Sequence, residues 1–148
     1  MAGIQRNRDA YYKYEVKDKY EAGIELLGWE VNAIKHGNIS LQGSFVKPLG
    51  DELYLVNAHI PVPTFVNTEA DPLRSRRLLL KRAEITELLF ESHKKGLTIV
   101  PLRVYTTRGK VKLEVGLAKG KRRFEQEIAR KKKTQEKKLK QELKDSGY

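Results

Sequence analysis

Cysteine is absent from the 148 residues, which rules out disulfides and thiolate metal sites and suits a reducing compartment. No apolar run approaches the roughly 20 residues that cross a bilayer as a helix. The opening stretch from Met1 to Arg8 lacks the apolar core of a secretion signal. A soluble, cytoplasmic protein is therefore expected. The three histidines, His36, His59 and His93, stand far apart with no metal-ligand spacing, and read as surface or hydrogen-bonded side chains. Gly116-Leu117-Ala118-Lys119-Gly120-Lys121 lacks the full spacing of a phosphate loop, and no nucleophile–base pair is legible. Nothing here calls for an enzyme, a metal or an organic cofactor. The apolar share is also low, at 39%, while charged residues reach 33%, so part of the chain is expected to stay outside the core.

What the chain has is positive charge, unevenly spread. The net charge is +11, of which residues 119–148 carry +7 and residues 1–118 only +4. A localised basic field attracts polyanions, with nucleic acid and an anionic membrane surface both eligible. Two clusters stand out: Arg74, Arg76, Arg77, Lys81 and Arg82 beside a proline-containing loop, and Lys119, Lys121, Arg122 and Arg123 after the last expected strand. Lysine and arginine neutralise phosphates, and arginine adds bidentate geometry. The competing reading is that such runs merely solvate a face. Membrane attachment would need a wider apolar stripe than Phe124, Ile128, Leu139 and Leu143 provide.

Alternation of apolar and polar residues predicts strands over Tyr11–Leu27, with a break at Asp18-Lys19, and over Asn38–Lys47 and Leu53–Ala58. Two more, Leu97–Tyr105 and Lys110–Leu117, are joined by the hairpin signal Thr106-Thr107-Arg108-Gly109. Helices are expected at Trp29–Lys35, stopped near Gly37, and at Lys81–Lys95, stopped by Gly96. Most tyrosines fall in strands and read as core or cross-strand pairs. About six antiparallel strands with short helices point to a small OB-like barrel over residues 1–118. Residues 119–148 hold many helix formers but few apolar ones, so a basic tail is expected, disordered when free and helical on RNA.

The residues themselves add a resemblance. Glu21-Ala22-Gly23-Ile24-Glu25-Leu26-Leu27-Gly28-Trp29-Glu30-Val31-Asn32-Ala33-Ile34-Lys35 resembles the signature of the small protein B (SsrA-binding) family. Further matches follow in order at Leu53–Ile60, Arg76–Leu80, Glu84-Ile85, Gly96–Leu102, Gly109–Lys112 and Ala118–Lys121, so the likeness covers about residues 7–124. It implies a barrel that grips the tRNA-like end of transfer-messenger RNA and enters the empty A site of a stalled ribosome. Elongation factor Tu is then a partner only through the RNA. By the same likeness Glu30 faces the RNA, with Asn32 and Lys35 beside it. Lys119, Lys121 and Arg122 look like phosphate contacts, alongside Arg74, Arg76, Arg77 and Lys81. Phe124 matches a family aromatic that stacks in the decoding centre. With Arg123, Arg130, Lys131, Lys132, Lys133, Lys137 and Lys138 it belongs to a tail expected in the mRNA channel. Two departures are visible: Asn32-Ala33 where the family commonly has Lys-Ser, and Glu125-Gln126-Glu127 where it has Asp-Lys-Arg. A general basic OB module remains the alternative, and would bind unrelated single-stranded RNA comparably.

Overall fold

A computed structural model describes residues 2–66 and 69–121. Its elements are β1 (Ala2–Arg6), α1 (Arg8–Lys13), β2 (Tyr14–Ile24), α2 (Gly28–Lys35), β3 (Phe45–Leu49), β4 (Glu52–Val56), β5 (Arg76–Leu79), α3 (Arg82–Lys95), β6 (Thr98–Thr107) and β7 (Lys110–Gly120). The strands pair antiparallel in the order β1-β6-β7-β2-β5-β4-β3. The sheet curls until β3 approaches β6. On β1 the Gln5 amide donates to the Ile39 carbonyl at 2.5 Å and accepts from the Leu41 N–H, tying that edge to the segment before β3. Ser40 and His59 add an isolated antiparallel bridge. Drawing the edges together protects backbone groups that an open sheet would expose. The class is the expected one, mainly β and antiparallel with short helices, but the described residues hold seven strands rather than six.

The two expected halves of Tyr11–Leu27 are the single strand β2, and β5 is not among the expected strands; β1 is also new, and α1 replaces the start of the strand expected from Tyr11. The cause is long-range. Pro101 interrupts the N–H ladder of β6, and the pairing to β7 shifts between Pro101 and Arg103. Asn7 answers this irregularity, its side chain donating to the Pro101 carbonyl at 2.8 Å and its backbone N–H to Leu102 at 2.7 Å. The chain then turns through α1, burying Ala10 beside Val100, Leu102 and Ala118, with Tyr11 and Tyr14 packed on them. The break expected at Asp18-Lys19 is a register shift between Val16 and Asp18 in a strand that otherwise continues.

Local signals elsewhere agree with the structure. Arg108 and Gly109 both have positive φ, 52° and 76°, the backbone of a two-residue hairpin whose twist matches the strands it joins. Gly96 ends α3 at φ 64°, its N–H donating to the Ser92 carbonyl. Leu53, Leu55, Leu78, Val104, Leu113 and Val115 point inward, and Ile34 of α2 with Ile85 and Leu88 of α3 complete the core. Gly116 leaves room for a neighbour: a Cβ there would lie 2.7 Å from Leu102 Cδ1, and Leu102 is fully buried with nowhere to retreat. Gly116→Ala is expected to cost about 1–3 kcal/mol by overpacking. Urea unfolding of the variant checks it, an unchanged midpoint being the contrary result.

Candidate RNA-binding surface

The signature stretch makes the end of β2, the turn after it and α2. Glu30 sits in the first turn of α2, and its carboxylate Oε1 accepts the Leu27 N–H at 2.8 Å, satisfying a donor that the helix start would leave open. The side chain is fully buried. Its Oε1 also receives Arg74 Nη2 at 2.5 Å, while Oε2 receives Arg76 Nη2 at 2.6 Å and Nε at 2.8 Å. Arg76, equally buried, donates onward to the carbonyls of Ala58 at 2.6 Å and Pro72 at 3.2 Å. This network joins α2, β5 and the long connection before β5. Burial pushes the Glu30 carboxyl up, but Arg74, the Leu27 N–H and Arg76 outweigh it and hold the group below its ordinary value. Burial pulls Arg76 down against the opposing pull of Glu30.

Glu30 and Arg76, expected to face RNA, are both fully buried. Both oxygens of the carboxylate are taken and neither side chain reaches solvent. Asn32 and Lys35, expected beside Glu30, are exposed one turn apart on α2. His36 closes the helix with its ring Nδ1 2.8 Å from the Asn32 carbonyl.

The Arg74–Arg82 cluster is also less open than its sequence suggests. Arg74 leans on Glu30. Arg77 pairs with Glu25 at 2.9 Å and lies 3.9 Å from Glu52, which also takes Arg82 at 3.2 Å. Three carboxylates thus answer four of the five cations, and Lys81 stands exposed at the start of α3. Arg77 remains 41% exposed and can exchange a carboxylate for a phosphate. Arg77→Ala and Lys35→Ala are each expected to lower the salt dependence of RNA binding by about one unit for every phosphate no longer neutralised. Stability should stay within about 1 kcal/mol, since such surface pairs contribute little. Titrations across a salt series, with urea melts alongside, test both; an unchanged slope would turn these residues away from RNA.

The second cluster lies elsewhere. Tyr14 of β2 pairs with Gly120, while Ile24 at the other end of β2 pairs with Leu78. Ten residue steps at about 3.3 Å each place Lys119 and Lys121 roughly 30 Å from the Glu30 network. Lys119 is exposed opposite Glu15. Lys121 donates its backbone N–H to the Lys13 carbonyl at 2.8 Å and its ammonium to the Tyr11 carbonyl at 3.0 Å, placing a cation at the C-terminal end of α1. Arg122, Arg123, Phe124, Arg130, Lys131, Lys132, Lys133, Lys137, Lys138 and the tail they belong to lie outside the described residues. Among the described residues no group of acidic or histidine side chains could hold a metal ion, and no helix is long and apolar enough to cross a membrane.

Comparison with known proteins places this geometry. The SmpB protein family model matches residues 4–145. The chain is 49% identical to the SsrA-binding protein of Elusimicrobium minutum over 112 residues, spanning 75% of this chain and 71% of that one. It is 42% identical to the SsrA-binding protein of Cupriavidus taiwanensis over 117 residues, 78% of each chain. A solved chain described under "tmRNA-SmpB: a journey to the center of the bacterial ribosome" superposes with a TM-score of 0.67 at 40% identity, covering 86% of this chain and 94% of that one.

Proposed function

The chain belongs to the SmpB family of SsrA-binding proteins, and from that premise we infer that it binds the tRNA-like domain of transfer-messenger RNA and delivers it to stalled ribosomes for trans-translation. The carrying observation is the family match over residues 4–145, which spans the barrel, the α2 surface and the segment beyond β7 together. The barrel presents Asn32, Lys35, Arg77 and Lys81 to a folded RNA. Recognition of this kind rests on shape and on phosphate and 2′-hydroxyl contacts. The Glu30–Arg76 pair holds α2 and β5 in the register that this requires.

The tail is assigned to the ribosome. Residues beyond Lys121 carry Phe124 and the Arg130–Lys133 run into the decoding centre and mRNA channel of the small subunit, where rRNA phosphates order a helix that has little core of its own. Elongation factor Tu is met through the RNA and not by the protein. The role is that of a cytoplasmic binding protein without catalysis of its own. RNA recovered with the full-length protein from its own cell should be strongly enriched in transfer-messenger RNA. A population dominated by unrelated RNAs would instead favour a general basic OB module.

A further inference from the structure

Away from the α2 end and from Lys119, a cleft of about 540 Å³ opens on the outer face of β1, β6, β7 and β2, with Arg6, Tyr11, Lys19, Arg103 and Glu114 along its walls. The register makes it. Arg6 pairs with Arg103, Arg103 with Glu114, and Glu114 with Glu21, so one row of side chains crosses all four strands. Their neighbours Leu102, Val104, Leu113 and Val115 point inward, fully buried. The guanidinium of Arg6 lies over the Tyr11 ring at 4.0 Å, and that of Arg103 over Tyr105 at 4.6 Å. A smaller cleft containing Tyr105 and Glu21 shares Lys19, Arg103 and Glu114, which makes the depression continuous.

Its chemistry is asymmetric. Arg103 bonds Glu114 Oε2 at 3.2 Å, but Glu114 Oε1 is buried without a hydrogen bond, the nearest ammonium, Lys19, lying 3.7 Å away. That is ion-pair distance and too long for a hydrogen bond. A buried acceptor without a donor is costly. A ligand filling the cleft must bring negative charge for Arg6 and Lys19, an N–H or O–H for Glu114, and a flat face for the stacked rings. A ribonucleotide carries all three, as phosphate, 2′-hydroxyl or base amino group, and base. The volume also lies within the usual range for a ligand site.

We propose that this cleft is a second RNA site, which takes one nucleotide of a single strand: phosphate on Arg6 and Lys19, a hydroxyl or amino donor on Glu114, and the base against the Tyr11–Arg6 stack. The site rests on the RNA-binding reading only for its partner class, and it lies apart from the α2 surface. The test uses the full-length protein with a short oligouridylate containing 4-thiouridine, the matching DNA, and the tRNA-like RNA domain as a separate ligand. Photo-crosslinks of the oligomer should fall on the peptides holding Arg6–Lys19 and Arg103–Glu114. Arg6→Gln with Lys19→Gln should weaken oligomer binding about tenfold and reduce its salt slope by about 0.7 for each phosphate left unneutralised. Glu114→Gln should strengthen DNA binding and narrow the preference for RNA, whereas general damage to the sheet would weaken both. Crosslinks confined to other peptides, no oligomer binding, or equal affinity for RNA and DNA in the unaltered protein would each overturn the site. Failure of the tRNA-like domain to bind would strike the family function and leave the oligomer result standing.

Discussion

Glu30→Ala is expected to lower unfolding free energy by about 3–5 kcal/mol, because it strands the buried Arg76 charge. That is a large part of the about 5–15 kcal/mol available to a domain of this size. RNA binding should fall with it, as α2 loses its tie to β5 and the Pro72 loop. A direct RNA contact would lower binding too, so the single variant does not separate the two roles. The double variant Glu30→Leu, Arg76→Met does. Replacing both members of a buried pair with apolar side chains of similar volume is often neutral or stabilising, and the partly exposed Arg74 can turn to solvent. The double variant should recover most of the urea midpoint and, with it, most of the affinity for the tRNA-like RNA. A folded double variant that still fails to bind would make Glu30 a contact after all.

The same pair has a pH signature. The Glu30 carboxyl lies below its ordinary value of 4.5 in the folded chain. A depressed carboxylate contributes its full stability above the unfolded value and loses it as pH falls toward the folded one. The stability gap between the parent chain and Glu30→Gln should therefore be constant near neutrality and shrink below pH 4.5. A gap that widened on acidification would reverse the assignment.

Removing residues 122–148 is expected to abolish tagging on stalled ribosomes while the tRNA-like RNA still binds and still competes out unrelated RNA. Lys121 is retained because it bonds the end of α1 at Tyr11 and Lys13. Charge and distance both separate the two regions. The basic excess of the chain is concentrated from residue 119 onward, and Lys121 stands at the opposite end of β2 from α2. One RNA can occupy the α2 end while a different set of phosphates meets the tail. Binding measured by competition and tagging measured on a truncated messenger distinguish the two steps. Equal tagging by the shortened protein would contradict the division of labour.

Features that depend on a few neighbouring residues were readable in the chain itself. The β6–β7 hairpin follows from Arg108-Gly109, α3 and its stop from the Ile85–Leu88 spacing and Gly96, and α2 from the run before Gly37. These are local because turn backbone and helical periodicity span at most a few residues. The family likeness was legible for the same reason, as short motifs in order. Tertiary structure decided what long-range pairing controls. The proline-broken ladder of β6 recruits Asn7, 94 residues away, between β1, where no strand is expected from the sequence, and α1, whose end at Tyr11–Lys13 alternates like strand. Folding buried Glu30 against Arg76, a pairing that a charge pattern does not foretell because it does not say which cations carboxylates elsewhere will answer. Register set Arg6, Lys19, Arg103 and Glu114 around one cleft, a grouping that no sequence spacing encodes because β1 and β2 lie far along the chain from the β6–β7 hairpin they join.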